Sequence, residues 1–267
     1  MAESSHFTEA EYYQKSFDSR ANLFSRENFY SRPEGHSDEN NYVSFILGCL
    51  SRIFSTGEYK GRKLIEVGSG PAIHTVISAC QHYHELVLSD FVDGNREEIK
   101  KWINNEEGCF DWKPIIEYVC ELDGKSSSDV EVKLRQRIKQ VLKCNVLLEN
   151  PFHPESMEPA DCVITSLCLE VACKDMQLYT DALCGVTKLL RPGGVLVMVG
   201  VLGETFYCVD EIRFSCLRLS KENIKDVVSK LGFTVQEFNI FSAQDQETKK
   251  VSDSEAFFVL VALKTKG

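Results

Sequence analysis

The residues best suited to chemistry lie between positions 66 and 95. An apolar run, Leu64-Ile-Glu-Val67, leads into Gly68-Ser69-Gly70, and a second apolar run ends on a carboxylate, Asp90, 22 positions after Gly68. Two glycines let the backbone turn sharply and let a ligand edge approach where a Cβ would clash. A carboxylate closing the next strand accepts the hydroxyl protons of a ribose. Together they form a nucleoside-binding layout.

The loop also discriminates between ligands. A dinucleotide needs a pyrophosphate cradle, with a third glycine and free backbone N–H groups at the helix start. Here the third glycine position is Ile73, and Pro71 removes one donor. A ligand without phosphate suits this loop better, and S-adenosylmethionine fits. Its adenosine would meet Asp90, its amino-acid carboxylate the helix N-terminus, and its sulfonium tolerates acids such as Glu66.

Composition narrows the setting. The 267 residues can bury one substantial α/β core. No stretch reaches the apolar length that crosses a bilayer, and residues 1–20 are polar with mixed charge, so a cytoplasmic location is expected. The eleven cysteines are odd in number, form no CxxC pair and in several cases sit inside apolar patterns. They read as packed free thiols, without a metal site. A net charge of −10 argues against nucleic-acid or anionic-membrane partners and leaves a small neutral or cationic substrate.

The elements that must position these residues follow from periodicity. Residues 1–36 are polar but rich in aromatics, which predicts a segment docked on the body as a lid. Helical spacing of apolar residues runs from an N-cap at Ser37 to Phe54. Further helices are expected at Ile77–Cys80, Asn95–Asn104, Asp129–Lys143, 175–190 and Lys221–Leu231. The stretch holding Trp112, Pro114 and the turn Ser126-Ser127-Ser128 reads as an insertion. The basic run Lys133, Arg135, Arg137, Lys139 and Lys143 reads as a solvated helix face. Strands are expected at Cys162–Leu167, Val195–Val201 after the turn Arg191-Pro-Gly-Gly194, Phe206–Val209, Arg213–Leu217, 233–241 and 255–263. Early β/α alternation with a late antiparallel pair predicts an α/β fold, a mostly parallel sheet with an antiparallel edge and helices on both faces.

In this order, the segments Glu66-Val-Gly-Ser-Gly-Pro71, Ser89-Asp-Phe91 with Asn95, Phe110-Asp-Trp112, Val141-Leu-Lys-Cys144, Ala160-Asp-Cys162, Cys168-Leu-Glu170 and Leu190-Arg-Pro-Gly-Gly194 resemble a specific family. It is that of the small-molecule amine methyltransferases, which includes nicotinamide, phenylethanolamine and indolethylamine N-methyltransferases. The resemblance spans nearly the whole chain. It implies a Rossmann-like class I methyltransferase domain over 37–267 behind the lid, and S-adenosylmethionine as cofactor. Gly68, Ser69, Gly70 and Phe91 would line the cofactor, Asp90 and Asn95 hold its ribose, and Asn145 and Val146 flank its adenine. Ser166 would border the methionine end, and Tyr30 matches a lid tyrosine.

Three departures stand out. The family commonly has Asp where this chain has Asn145, whose amide oxygen still accepts a proton but implies weaker binding. The tyrosine that relatives carry after the first loop is His74 here, either a cofactor contact or a surface residue. A second lid tyrosine has no secure match, with Asn22, Phe24 and Ser25 as candidates.

Substrate chemistry turns on protonation. A pyridine nitrogen has a free lone pair near neutral pH, whereas an alkylamine arrives protonated and needs carboxylates that bind the ammonium and help remove its proton. Glu170 and Glu204 resemble the acids of the phenylethanolamine enzyme, and Tyr207 a shared pocket tyrosine. The Asp and Ser by which the nicotinamide enzyme holds its carboxamide align with Gly200 and Cys216, so both groups are lost. The expectation is a monomeric N-methyltransferase of small aromatic amines. The alternatives are nicotinamide methylation and a methyltransferase-fold protein that binds cofactor without turnover, with a dinucleotide dehydrogenase disfavoured by Ile73 and Pro71.

Overall fold

The computed structural model describes residues 7–23, 42–242 and 251–265. Helix α1 is Ala10–Ser16, and residues 19–23 are again helical. Then follow α2 (Tyr42–Ser55), β1 (Gly61–Val67), β2 (Tyr83–Asp90), α3 (Asp93–Ile103), α4 (Lys113–Asp123), α5 (Ser127–Arg137), β3 (Ile138–Lys143) and β4 (Ala160–Ser166). After them come α6 (Leu169–Ala172), α7 (Met176–Lys188), β5 (Leu190–Leu202), β6 (Phe206–Val209), β7 (Ile212–Ser215), α8 (Lys221–Lys230), β8 (Phe233–Ser242) and β9 (Ala256–Lys264). Among the described residues one seven-stranded sheet has the order β3-β2-β1-β4-β5-β9-β8, and β6 and β7 form a separate hairpin.

The central strands read as continuous apolar runs because both of their faces are covered. Leu64, Leu86, Leu88, Ile164, Val197 and Val261 face a layer that holds α2, α4 and α5. Ile65, Val67, Val87, Val163, Leu196 and Leu260 face the layer of α7 and α8. Pairs β1–β2, β1–β4 and β4–β5 are parallel, while β9 runs antiparallel to both β5 and β8. This matches the expected parallel sheet with its antiparallel edge. The strand order reverses between β1 and β4, and Val67 pairs with both Ser89 and Thr165, so the loops after β1, β2 and β4 emerge side by side. Such a switch point at the carboxyl ends of parallel strands is where doubly wound folds bind ligands.

Four local expectations need correction. The stretch after Trp112, read as an insertion, is a helix: Pro114 sits in its first turn, Ile115, Ile116, Val119 and Cys120 form its buried stripe, and Gly124 closes it at φ 65°. The helix expected over Asp129–Lys143 begins at Ser127 and stops at Arg137. Its tail is edge strand β3, which pairs with β2. The Ile77–Cys80 helix is replaced by two short 3₁₀ turns, His74–Val76 and Ala79–Gln81. Finally, β5 already begins at Leu190, ahead of the glycine pair, with a register shift between Ala160 and Cys162.

The basic run is only partly solvated. Arg137 donates to the carbonyls of Cys80 and Tyr83, Lys133 reaches Gln81, and Arg135 lies over the Trp102 ring at 4.1 Å. All eleven cysteines are free thiols. Among the described residues no helix is long and apolar enough to cross a membrane.

Candidate active site

Gly68, Ser69 and Gly70 leave β1 with φ 77° at Gly68 and 61° at Gly70, a backbone that L side chains rarely adopt. A Cβ at Gly68 would stand 2.2 Å from Cys168 Sγ, so the first glycine is also needed for the close approach of the loop after β4. At Gly70 no atom of the described residues beyond its chain neighbours lies within 4 Å of a built Cβ, which leaves open space beside the loop. The amides of Gly68 and Ser69 both donate to the Ser89 carbonyl, at 2.8 and 3.0 Å, and that of Gly70 donates to Asp90 Oδ2 at 2.8 Å. With all three N–H groups engaged inside the protein, the loop makes no pyrophosphate cradle.

Asp90 is buried. Its Oδ1 accepts from the Val92 amide at 2.8 Å and from Asn95 Nδ2 at 2.9 Å. Burial pushes its pKa upward, opposed by these donors, by Gly70 and by the nearby Arg96. Arg96 donates to the carbonyls of Asp90 and Phe91, which fixes the start of α3. Phe91 is half-buried beneath Lys143 Nζ. Among the described residues, two polar oxygens here are buried without a hydrogen-bond partner, Asn95 Oδ1 and Glu66 Oε2. A ligand that offers both hydrogen-bond donors and acceptors fits such a rim, since orphaned buried polar groups are costly unless something satisfies them.

Glu66 differs from expectation. It is fully buried, and its other oxygen accepts from the Thr75 hydroxyl. Desolvation raises its pKa to about 8, so it is mostly neutral at physiological pH. His74 is buried, not a surface residue, with its ring stacked on Trp112 at 6.3 Å. Asn145 is half-buried at the start of the loop after β3, and its side-chain oxygen already accepts from the Leu147 amide at 3.0 Å. One lone pair therefore remains for a ligand. Val146 beside it is buried.

Across the switch point β4 ends at half-buried Ser166, and Leu167 follows with φ 48°, its amide donating to Val199 O at 2.9 Å. This turn brings round the short helix α6, which carries Glu170. Glu170 and Glu204 are 4% and 7% exposed, so neither is a solvated loop glutamate. Glu170 Oε1 accepts from the Val201 amide at 3.2 Å. Burial raises the pKa of Glu170 to about 7, and Glu204 adds to the rise. Cys216 is buried near both, its thiol pushed up by burial and by both carboxyls.

Gly200 cannot carry a side chain here. A Cβ would meet the Phe258 ring at 2.5 Å and Glu170 Oε1 at 3.1 Å. The half-buried Tyr207 stacks on Phe214 and donates its hydroxyl to Tyr13 Oη at 3.0 Å.

The N-terminal segment reaches both halves of this site. Thr8 and Ser215 exchange amide and hydroxyl hydrogen bonds, and Phe17 packs on Phe214. On the other side the Gln14 amide bridges Phe91 O and the Asp93 N–H, and Arg20 lies 3.8 Å from Glu98. Tyr30, Phe24 and Ser25 lie outside the described residues, whereas Asn22 is buried. Sequence reasoning did not single out Phe258, Ser252 or the Tyr13 hydroxyl. None has a local pattern around it, and only the aromatic density near Tyr13 pointed that way.

The reversed strand order, the glycine turn without phosphate donors and the buried strand-end acid define an S-adenosylmethionine-dependent methyltransferase by class. A magnesium protoporphyrin IX methyltransferase from Synechocystis, solved with S-adenosylmethionine, shares the fold with a TM-score of 0.58 over 98% of this chain and 100% of its own, at 10% identity. Residues 5–265 match the NNMT/PNMT/TEMT family, and the chain belongs to it. It is 40% identical to rabbit indolethylamine N-methyltransferase, covering 98% of each chain, and 38% identical to human nicotinamide N-methyltransferase, covering 97% of each. Human phenylethanolamine N-methyltransferase is 34% identical over 93% of this chain and 89% of its own. The protein is an S-adenosylmethionine-dependent N-methyltransferase.

Proposed function

We propose that this enzyme methylates the amine nitrogen of a small arylalkylamine, and that the observation carrying this reading is the burial of both Glu170 and Glu204 near Cys216. When bound, S-adenosylmethionine supplies a methyl group already activated by its sulfonium for in-line displacement. The chain aligns the nucleophile and sets its protonation state. Asp90 and Asn95 hold the ribose, with Gly68, Ser69, Gly70, His74 and Phe91 around the cofactor and Tyr30 as the lid tyrosine that binds it. Asn145 and Val146 flank the adenine, and Ser166 the methionine end. Glu204 pairs with the substrate ammonium, and Glu170, half ionised near pH 7, accepts its proton. Tyr207 walls the aromatic part of the pocket, with Gly200 and Cys216 opposite.

Residues 1–36 serve as a lid over the single domain 37–267, consistent with the contacts of residues 8–20 to both halves of the site. A monomer in the reducing cytoplasm accords with eleven free cysteines. The acidic net charge fits a small cationic amine as partner better than nucleic acid or membrane.

Nicotinamide is the second reading, favoured by 38% identity to the human nicotinamide enzyme. Against it stand Gly200, with Phe258 filling the space of a side chain there, and Cys216, which offers a poor donor for a carboxamide.

Glu204→Gln separates the two. It keeps the shape but removes the charge, so kcat/KM for tryptamine or phenylethanolamine should fall roughly ten- to a thousandfold. Turnover of nicotinamide, which carries no ammonium, should change little. Rates for both substrates between pH 6 and 9 provide the check. Intact alkylamine turnover in the variant, or a wild type that uses only nicotinamide, would give the pyridine reading precedence. No S-adenosylhomocysteine release with any amine would leave a cofactor-binding protein without turnover.

A further inference from the structure

Two buried carboxyls in one pocket cannot both ionise cheaply, because each charge opposes the other. Their hydrogen-bond partners differ. Glu170 Oε1 receives a backbone amide from Val201 at 3.2 Å, whereas Glu204 Oε1 lies 2.5 Å from the hydroxyl of Ser252, a residue 48 positions away. Ser252 Oγ in turn accepts the Ser254 amide at 3.0 Å, which leaves the serine proton to donate toward Glu204.

The segment carrying Ser252 is fastened to the strand that follows Glu204. Asp253 accepts from the Thr205 amide at 2.7 Å, the Thr205 hydroxyl at 2.6 Å and the Phe206 amide at 3.2 Å. Val251 O accepts from the Cys208 amide at 2.7 Å, and Tyr207 pairs with Ser252 across an isolated antiparallel bridge. The hydroxyl is thus held by fixed neighbours on both sides of it, the Val251 carbonyl and the Asp253 carboxylate, the condition under which a donor orients a charge at little entropic cost.

We infer that Ser252 is a positioning residue that keeps the pocket's negative charge on Glu204 and aims that carboxylate at the substrate ammonium, leaving Glu170 as the partner that exchanges the proton. The inference rests on the alkylamine reading above, and it makes the enzyme selective for nitrogen that arrives protonated. The titratable groups seen facing Glu204 among the described residues include Glu170, Cys216 and, beside Ser252, Asp253. Of these only Glu170 shares the charge, since burial drives the Cys216 thiol further from ionisation and Asp253 is saturated by three donors.

The test is a double-mutant cycle with tryptamine as substrate. Ser252→Ala should lower kcat/KM about tenfold, as expected for loss of a hydrogen bond to a charged group, and should move the acidic limb of the pH profile upward. Ser252→Thr, which keeps the hydroxyl, should restore most of the activity. In a Glu204→Gln background, Ser252→Ala should cost less than about twofold, because its partner charge is already gone. S-adenosylhomocysteine affinity by calorimetry should match wild type in every variant, which also shows that each is folded. If Glu204→Gln abolishes tryptamine turnover while Ser252→Ala leaves rate and pH profile unchanged, the role of Ser252 is overturned and that of Glu204 stands. If neither change matters, both fall. Equal loss in the Ala and Thr variants together with weakened cofactor binding would make Ser252 a structural residue only and likewise overturn the inference.

Discussion

Glu66 shows how a single buried acid ties stability to pH. Its carboxyl ionises at about 8 in the folded chain and near 4.5 when unfolded. Between those values the native state binds more protons than the unfolded one, so stability falls as pH rises, by roughly 1.4 kcal/mol for each pH unit, and levels off above about 8. Glu66→Gln keeps the shape of the neutral acid and cannot ionise. Melting curves from pH 5 to 9 should therefore show wild type losing Tm relative to the variant as pH rises, with the two similar near pH 5. Parallel curves would mean that Glu66 is charged in the fold. Asp90, only one strand away, retains three hydrogen-bond donors, whereas Glu66 has one, and that difference in partners separates their roles.

At the scale of elements, Asp90 and the glycine turn were readable from sequence because strand, turn and acid are contiguous, and chemistry dictates their spacing. The helix over Lys113–Asp123 was also within reach: its buried stripe has helical period and Gly124 caps it, but Pro114 reads as a breaker until it is placed in the first turn. The junction at Arg137 was harder to read. The charged run continues across it, and only pairing with β2 turns Ile138–Lys143 into a strand. Long-range partners such as Ser252 to Glu204 and Tyr13 to Tyr207 leave no local trace, since the fold alone brings them together. The N-terminal segment is a case where such contacts make a prediction. Its aromatic side chains cover Phe214, and its polar groups join the β6–β7 hairpin to the start of α3. Removing residues 1–23 should leave a cooperatively melting body, because both main cores lie elsewhere except for Leu23. Turnover should fall about a hundredfold through lost alignment and admitted water. A truncated protein with full kcat/KM would show that the segment is not a lid.

For the molecule as a whole, the same sheet and switch point serve nucleotide enzymes of several kinds, so the choice of ligand must come from the loop and not from the fold. Here Gly68, Ser69 and Gly70 spend their amides on Ser89 and Asp90, which leaves nothing to receive a pyrophosphate, while the Asn95 Oδ1, without a partner among the described residues, awaits a donor. That contrast predicts selective stabilisation. S-adenosylhomocysteine at about 100 times its Kd should add about 2.7 kcal/mol to the folded state, which for a domain of this size is a rise in Tm of about 5–10 °C. The oxidised nicotinamide dinucleotide at the same concentration should leave Tm unchanged. Because the orphaned Asn95 oxygen belongs to the folded cleft, Asn95→Ala should shrink the first shift without creating the second. A dinucleotide shift as large as that of S-adenosylhomocysteine would mean that the loop rearranges to free its amides.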